Sequence, residues 1–206
     1  AAGTLKCVDY AVKFGISMNA AGGTHHSFSD RGEGFCVFND IAIAVNQLIH
    51  SQRFSKILIV DLDVHQGNGT ASIFTGSEHV FTFSMHGSKN YPFRKEASHL
   101  DIGLPDGTTD DHYLAILHRI LPRLIDQKQP EIIFYQAGVD ILETDRLGRL
   151  SVSREGCRQR DKFVMEQCKK NNIPLVVTMG GGYSPQIAHI IEAHANTFRT
   201  ATEVYF

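Results

Sequence analysis

Asp61, Asp63 and His65 are the side chains best placed for chemistry. They lie within Ile-Leu-Ile-Val-Asp-Leu-Asp-Val-His-Gln-Gly-Asn-Gly, residues 57–69. The apolar run from Ile57 to Val60 suits a strand buried on both faces, as in a parallel sheet. Alternate residues of an extended chain point the same way, so Asp63 and His65 converge and Asp61 stands behind them. Carboxylates crowded at the end of an apolar strand repel and lose hydration unless something positive joins them. A divalent metal ion meets that need, and Gly67 and Gly69 allow the tight turn beside it. Taken alone, an Asp-X-His also fits a solvated acidic loop.

What must position these residues is a globular domain. The chain has 206 residues, 42% hydrophobic and 20% charged, enough for a sizeable core within a single domain spanning 1–206. Its net charge of −2 offers no basic surface for nucleic acid or an anionic membrane. No apolar run is long enough to span a bilayer, and no secretory signal is visible. Cys7, Cys36, Cys157 and Cys168 lie far apart without Cys-X-X-Cys spacing. They read as reduced thiols of a cytoplasmic protein, not as a disulfide frame or a zinc knuckle.

The periodicity predicts alternating helices and strands. Helices are expected over 4–14, 40–52 (with Asn39 as cap), 70–74, 110–127, 153–171 and 185–198. Pro122 is a candidate kink. Strands are expected over 16–20, 57–61, 79–85, 132–135 and 175–179, while 88–107 reads as a long irregular loop. This alternation indicates an α/β domain with a central, mostly parallel sheet. The polar and glycine-rich clusters all follow strands, where open parallel sheets bind ligands. His25, His26, Asp61, Asp63, His65, Asp140 and Tyr183 therefore fall on one face by topology.

These residues lie in motifs that resemble the zinc-dependent histone deacetylase family, which shares its fold with the arginases. The pieces appear in the family's order: Gly-Gly-Thr-His-His at 22–26, Gly-Phe-Cys at 34–36, Asp-Leu-Asp-Val-His-Gln-Gly-Asn-Gly at 61–69, Ala-Gly-Val-Asp at 137–140, Asp-Arg-Leu-Gly at 145–148 and Gly-Gly-Gly-Tyr at 180–183. The details are similar to the class IV branch and its bacterial relatives. The resemblance implies a three-layer fold and hydrolysis of an acyl group from an N-acylated lysine, in a peptide or protein, or from a small acylated amine. It implies Asp63, His65 and Asp140 as ligands of zinc, with Fe(II) admitted by the oxygen-rich set. It casts His26 as general base, His25 as its electrostatic partner oriented by Asp61, Asn68 as the residue orienting His26, and Tyr183 as oxyanion donor. Class I members carry Asp where Asn68 stands, whereas class II and class IV members resemble this chain there, which speaks against class I behaviour but not against catalysis.

By the same resemblance Gly34, Phe35, Tyr91, Leu147, Gly181 and Gly182 belong to substrate binding, and a structural K⁺ or Na⁺ sits near Asp61, Asp63, His65, Ser84 and Met85. Two rival readings stand beside this one: a module that binds acyl-lysine without hydrolysing it, and a two-metal ureohydrolase. The latter needs a carboxylate where Gly67 stands. Family members also carry sheet strands and an acidic rim residue before Gly22. The resemblance thus implies a partial domain lacking its N-terminal strands. The expected strand order is 16–20, 175–179, 132–135, 57–61, 79–85, with the first edge covered by an upstream segment, a homo-oligomer partner or another chain.

Overall fold

The computed structural model describes all residues, 1–206. A single sheet of parallel strands forms its middle layer: β1 (Ile16–Asn19), β2 (Ile57–Asp61), β3 (Val80–Gly87), β4 (Leu100–Leu104), β5 (Ile132–Gln136) and β6 (Leu175–Thr178). Their spatial order is β1-β6-β5-β2-β3-β4, and every pairing is parallel. The expected order of five strands is reproduced, and a sixth joins it. That strand, β4, corrects the reading of 88–107 as irregular. It pairs with β3, Phe83 opposite Leu100 through Gly87 opposite Leu104.

Helices α1 (Ala2–Phe14), α2 (Asp40–His50), α3 (Asn68–Ile73), α4 (Asp110–Lys128), α5 (Arg154–Lys170) and α6 (Ile187–Tyr205) complete the layers. Strand alternation sorts the core into two halves. Leu58, Val60, Ile133, Tyr135, Leu175 and Val177 point to the side of α4, α5 and α6. Ile57, Ile59, Ile132, Phe134 and Val176 point to the side of α1 and α2. Both faces of β2 and β5 are thus fully buried, which explains their unbroken apolar runs. Asn39 caps α2 by accepting the Ala42 amide at 2.9 Å, and Ser153 caps α5 through the Gly156 amide at 3.0 Å.

Several helix boundaries differ from expectation: α1 begins two positions early, α2 ends two short and α6 begins two late. α3 begins at Asn68, two positions early, and α6 continues past 198 to Tyr205. Pro122 lies inside α4, which continues as one element across it. All four cysteines are free and buried. No helix is long and apolar enough to cross a membrane.

Candidate active site

The carboxyl ends of β1, β6, β5 and β2 deliver the singled-out residues to one place. β2 ends at Asp61, whose Oδ1 accepts the Asp63 amide at 3.2 Å and turns the chain inward. Asp63 Oδ1 then accepts the His65 amide at 3.0 Å. β5 leads to Asp140, whose Oδ1 is held by the Val64 amide at 3.0 Å. From beyond β6 the Gly181 amide donates to Asp63 Oδ2 at 2.9 Å. Both oxygens of Asp63 and one of Asp140 are therefore fixed by the backbone. Asp63 Oδ1 and Asp140 Oδ2 also lie 3.2 and 3.1 Å from His65 Nδ1.

Ligand atoms from Asp63, His65 and Asp140 all fall within 4.8 Å of one another, and the three residues are buried. Glycine is required around them: a Cβ at Gly138 would overlap the Asp63 carboxylate, and one at Gly181 the Asp140 carboxylate. The charges show how tightly the groups are packed. Asp140 is pushed up to about 7 by burial and by the Asp63 carboxylate. Burial opposes charge on His65 as well, yet the two carboxylates raise it to about 10.

The paired histidines come from the loop after β1. Asp40, at the start of α2, holds that loop by accepting the amides of Gly23 and Thr24 at 3.0 and 2.8 Å. Asn39 Nδ2 reaches the Ser27 carbonyl at 3.2 Å and the Thr70 hydroxyl at 2.9 Å. His25 and His26 then meet different partners. His25 Nδ1 lies 2.7 Å from Asp61 Oδ2, and His26 Nδ1 lies 2.8 Å from Asn68 Oδ1. Against the cost of burial, Asp61 and Asp63 push His25 up to about 9. Burial and the neighbouring His25 cation drive His26 down to about 3. Adjacent imidazoles with opposed protonation suit different roles, one a fixed cation and the other a neutral base.

Above these groups opens a cavity of about 510 Å³. Phe35, Tyr91, Phe93 and Leu147 form its apolar walls, Lys89, Asn90 and Arg149 line it as well, and His26, His65, Gly34 and Tyr183 reach into it. Phe35 and Phe93 are 88% and 87% exposed, so the walls present apolar surface directly to solvent. Tyr183 faces His65 edge-on, with ring centroids 6.2 Å apart. Its own amide donates to Asp145 Oδ2 at 2.5 Å, while Asp145 Oδ1 accepts the Leu147 and Gly148 amides, both at 2.8 Å. One carboxylate thus fixes both the tyrosine and the Leu147 wall.

The singled-out residues do not all share one position. His25, Asp61, Asn68, Asp63 and Asp140 are buried below the cavity, whereas Gly181 and Gly182 stand behind its wall. Gly181 backs the Asp63–Asp140 pair, and Gly182 packs against Val139 and Ile190. Ser84 lies opposite Asp61 in the β2–β3 register and contacts His86, 2.9 Å from Oγ to Nδ1. Asn39 was expected only as a helix cap, and Asp40, Asp145 and Glu33 carried no expectation of their own. An isolated acidic residue in a loop carries no distinctive signal, although Asp145 opens the Asp-Arg-Leu-Gly motif.

Residues 1–198 match the sequence profile of the histone deacetylase domain. The chain belongs to the histone deacetylase family. It is 44% identical over 203 residues to an uncharacterized protein of Picosynechococcus, covering 98% of this chain and 68% of that one. It is 36% identical over 192 residues to histone deacetylase 2 of Arabidopsis thaliana, covering 92% of this chain and 50% of that protein. The crystal structure of a histone deacetylase homologue from Aquifex aeolicus superposes with a TM-score of 0.82 at 26% identity, over 97% of this chain and 55% of that one. The sheet is therefore of the arginase/deacetylase type, and the chain spans about half the length of the Arabidopsis and Aquifex proteins.

Proposed function

We propose that this histone deacetylase-family chain carries a metal-dependent amide-hydrolysing site that removes acyl groups from N-acylated lysine or a similar amine. One observation carries the reading. Asp63, His65 and Asp140 converge within 4.8 Å below the same apolar-walled cavity that His26 and Tyr183 enter.

The donor set fits a divalent cation. Two buried carboxylates and one imidazole supply a balancing charge and mixed oxygen and nitrogen ligands, suited to zinc or Fe(II). Such an ion would polarise the acyl carbonyl and acidify a water. The remaining work belongs to this chain's own side chains. His26 is neutral and its Nδ1 is engaged by Asn68, so Nε2 is the free acceptor. It takes the proton that water loses on attacking the carbonyl carbon. It returns that proton to the amine nitrogen as the C–N bond breaks, leaving a carboxylate and a free amine. His25, held cationic by Asp61, stabilises the negative charge that develops beside it. Tyr183 donates its hydroxyl to the oxyanion. Phe35, Tyr91 and Leu147 suit the methylene stem of lysine, whose transfer from water to an apolar wall is favourable.

The ureohydrolase reading meets a steric obstacle. A Cβ at Gly67 would overlap the Asp61 carboxylate, so no second-metal ligand fits there. The full chain, loaded with zinc or anaerobically with Fe(II), is expected to release acyl groups from a panel of acyl-lysine peptides and acetylpolyamines. Activity should disappear on chelation and return with metal. The reading also requires one ion per chain, lost in Asp140→Asn. Peptide binding without turnover by the metal-loaded chain would favour a binding module instead.

A further inference from the structure

Asn68 holds the catalytic imidazole but brings no charge of its own, and an amide has two chemically different ends. Presented the other way round, its NH₂ would face His26 Nδ1 and force the hydrogen onto Nε2, the atom needed as base. Something must fix the amide, and the structure supplies it. Asn68 Nδ2 donates to Glu33 Oε1 at 2.7 Å. An ionised carboxylate accepts hydrogen bonds and cannot donate, so only the NH₂ end of Asn68 satisfies it. The Asn68 carbonyl is then left for His26 Nδ1, 2.8 Å away.

Glu33 is well placed to act this way. Its backbone closes a tight reversal with Cys36, through bonds of 3.0 and 2.8 Å in the two directions. The turn between them carries Gly34 and Phe35 at φ 52° and 66°. A Cβ at Gly34 would meet the His26 ring, so this turn is clamped directly onto the imidazole that Glu33 serves. The same Oε1 also accepts the Tyr91 hydroxyl at 2.7 Å. Tyr91 in turn stands edge-on to the His26 ring, with centroids 5.1 Å apart. Bonds from Tyr91 and Asn68 hold the Glu33 carboxyl below its usual range, so it stays ionised across neutral pH.

We infer that Glu33 is a positioning residue: its carboxylate sets the orientation of the Asn68 amide, and thereby the tautomer of His26, while tying the Tyr91 wall to the same point. This rests on the deacylase reading for its catalytic consequence, although the hydrogen-bond chain itself does not. Three groups that act in the step or line the cavity are thus governed by one acid in the 27–34 loop.

The test reads the tautomer and the turnover separately. Ring nitrogen–proton correlation spectra are recorded on the zinc-loaded full chain, with His26 assigned by loss of its signals in His26→Gln. The wild type is expected to show hydrogen on Nδ1 and a bare Nε2. Glu33→Ala should populate the opposite tautomer, whereas Glu33→Gln should keep the wild-type pattern because its carbonyl can accept both bonds. In parallel, kcat/KM is expected to fall about tenfold in Glu33→Ala, a usual loss for an orienting partner, and to be largely kept in Glu33→Gln. Adding Glu33→Ala to Asn68→Ala should cost little more, since both act through one path. An unchanged His26 pattern in Glu33→Ala, or losses that multiply in the double variant, would overturn the inference. A tautomer change in a chain that hydrolyses no acyl-lysine would uphold the link and sink the deacylase reading instead.

Discussion

Among single residues, Tyr183 separates chemistry from scaffolding most cleanly. Its ring enters the cavity beside His65, but it is not one of the grouped ligands, so hydroxyl and metal can be tested independently. Tyr183→Phe keeps the ring, and the amide bond to Asp145 does not involve the side chain. Its kcat is expected to fall by about 10²–10³, the usual cost of one oxyanion donor, with bound metal per chain unchanged. Turnover near wild type would remove the phenol from the mechanism. Tyr183 was legible in the sequence because Gly-Gly-Gly-Tyr follows an apolar strand, as were Asp63, His65 and Asp140 at strand ends. Glu33 and Asp40 were not. Each acts through bonds to residues distant in sequence, Glu33 to Asn68 and Tyr91, Asp40 to Gly23 and Thr24. No local spacing records such a partnership.

At the scale of the element, legibility followed burial. β2 and β5 are buried at every position and read as unbroken apolar runs. β4 is a half-exposed edge strand of five residues, in a stretch whose prolines and polar residues mask its alternation. The end of α6 lacks an apolar signal because its last turns bury Thr197, Thr200 and Ala201 in place of large apolar residues; Thr197 donates to Asp161 at 2.7 Å. The β3–β4 edge also holds a group that links fold stability to pH. His86, near the end of β3, is buried, with Nδ1 4.0 Å from Asp101. Burial drives it down to about 4, against the pull of Asp101 and with help from Lys95. Unfolded, the ring titrates near its ordinary value of 6.5. Between those values the unfolded chain binds more protons, so His86 costs no stability above the upper one and progressively more as pH falls to the lower. The difference amounts to roughly 3 kcal/mol at the acid end. In urea melts of the metal-free chain between pH 7 and pH 4, His86→Gln is expected to show a shallower loss than wild type. Parallel pH profiles would place the acid sensitivity elsewhere.

For the whole molecule, strand order could be anticipated only through the family resemblance, because parallel pairing by itself does not say which strands are neighbours. The sheet's far side poses a separate physical problem. β1 pairs only with β6, in a register of Ile16 opposite Leu175, and the Leu175 amide donates to Gly15 O at 3.0 Å. In a parallel ladder that parity turns residues 15, 17 and 19 toward β6 and the amides of Ile16 and Met18 outward. Outward amides and carbonyls along a strand are a template for another strand. Beside this edge α1 exposes Tyr10, Val12 and Phe14, each about half accessible, so apolar surface accompanies the unpaired backbone. This 206-residue chain is therefore expected to self-associate with rising concentration in sedimentation velocity. Met18→Pro should weaken that association, because proline removes an outward donor while sparing the bonds to β6. The proposed metal ligands lie beyond the ends of β2 and β5, separated from β1 by β6, so metal content is expected to be the same in the variant and the wild type. A chain that stays monomeric at every concentration, or associates equally well as Met18→Pro, would show that the β1 edge is not the surface it uses.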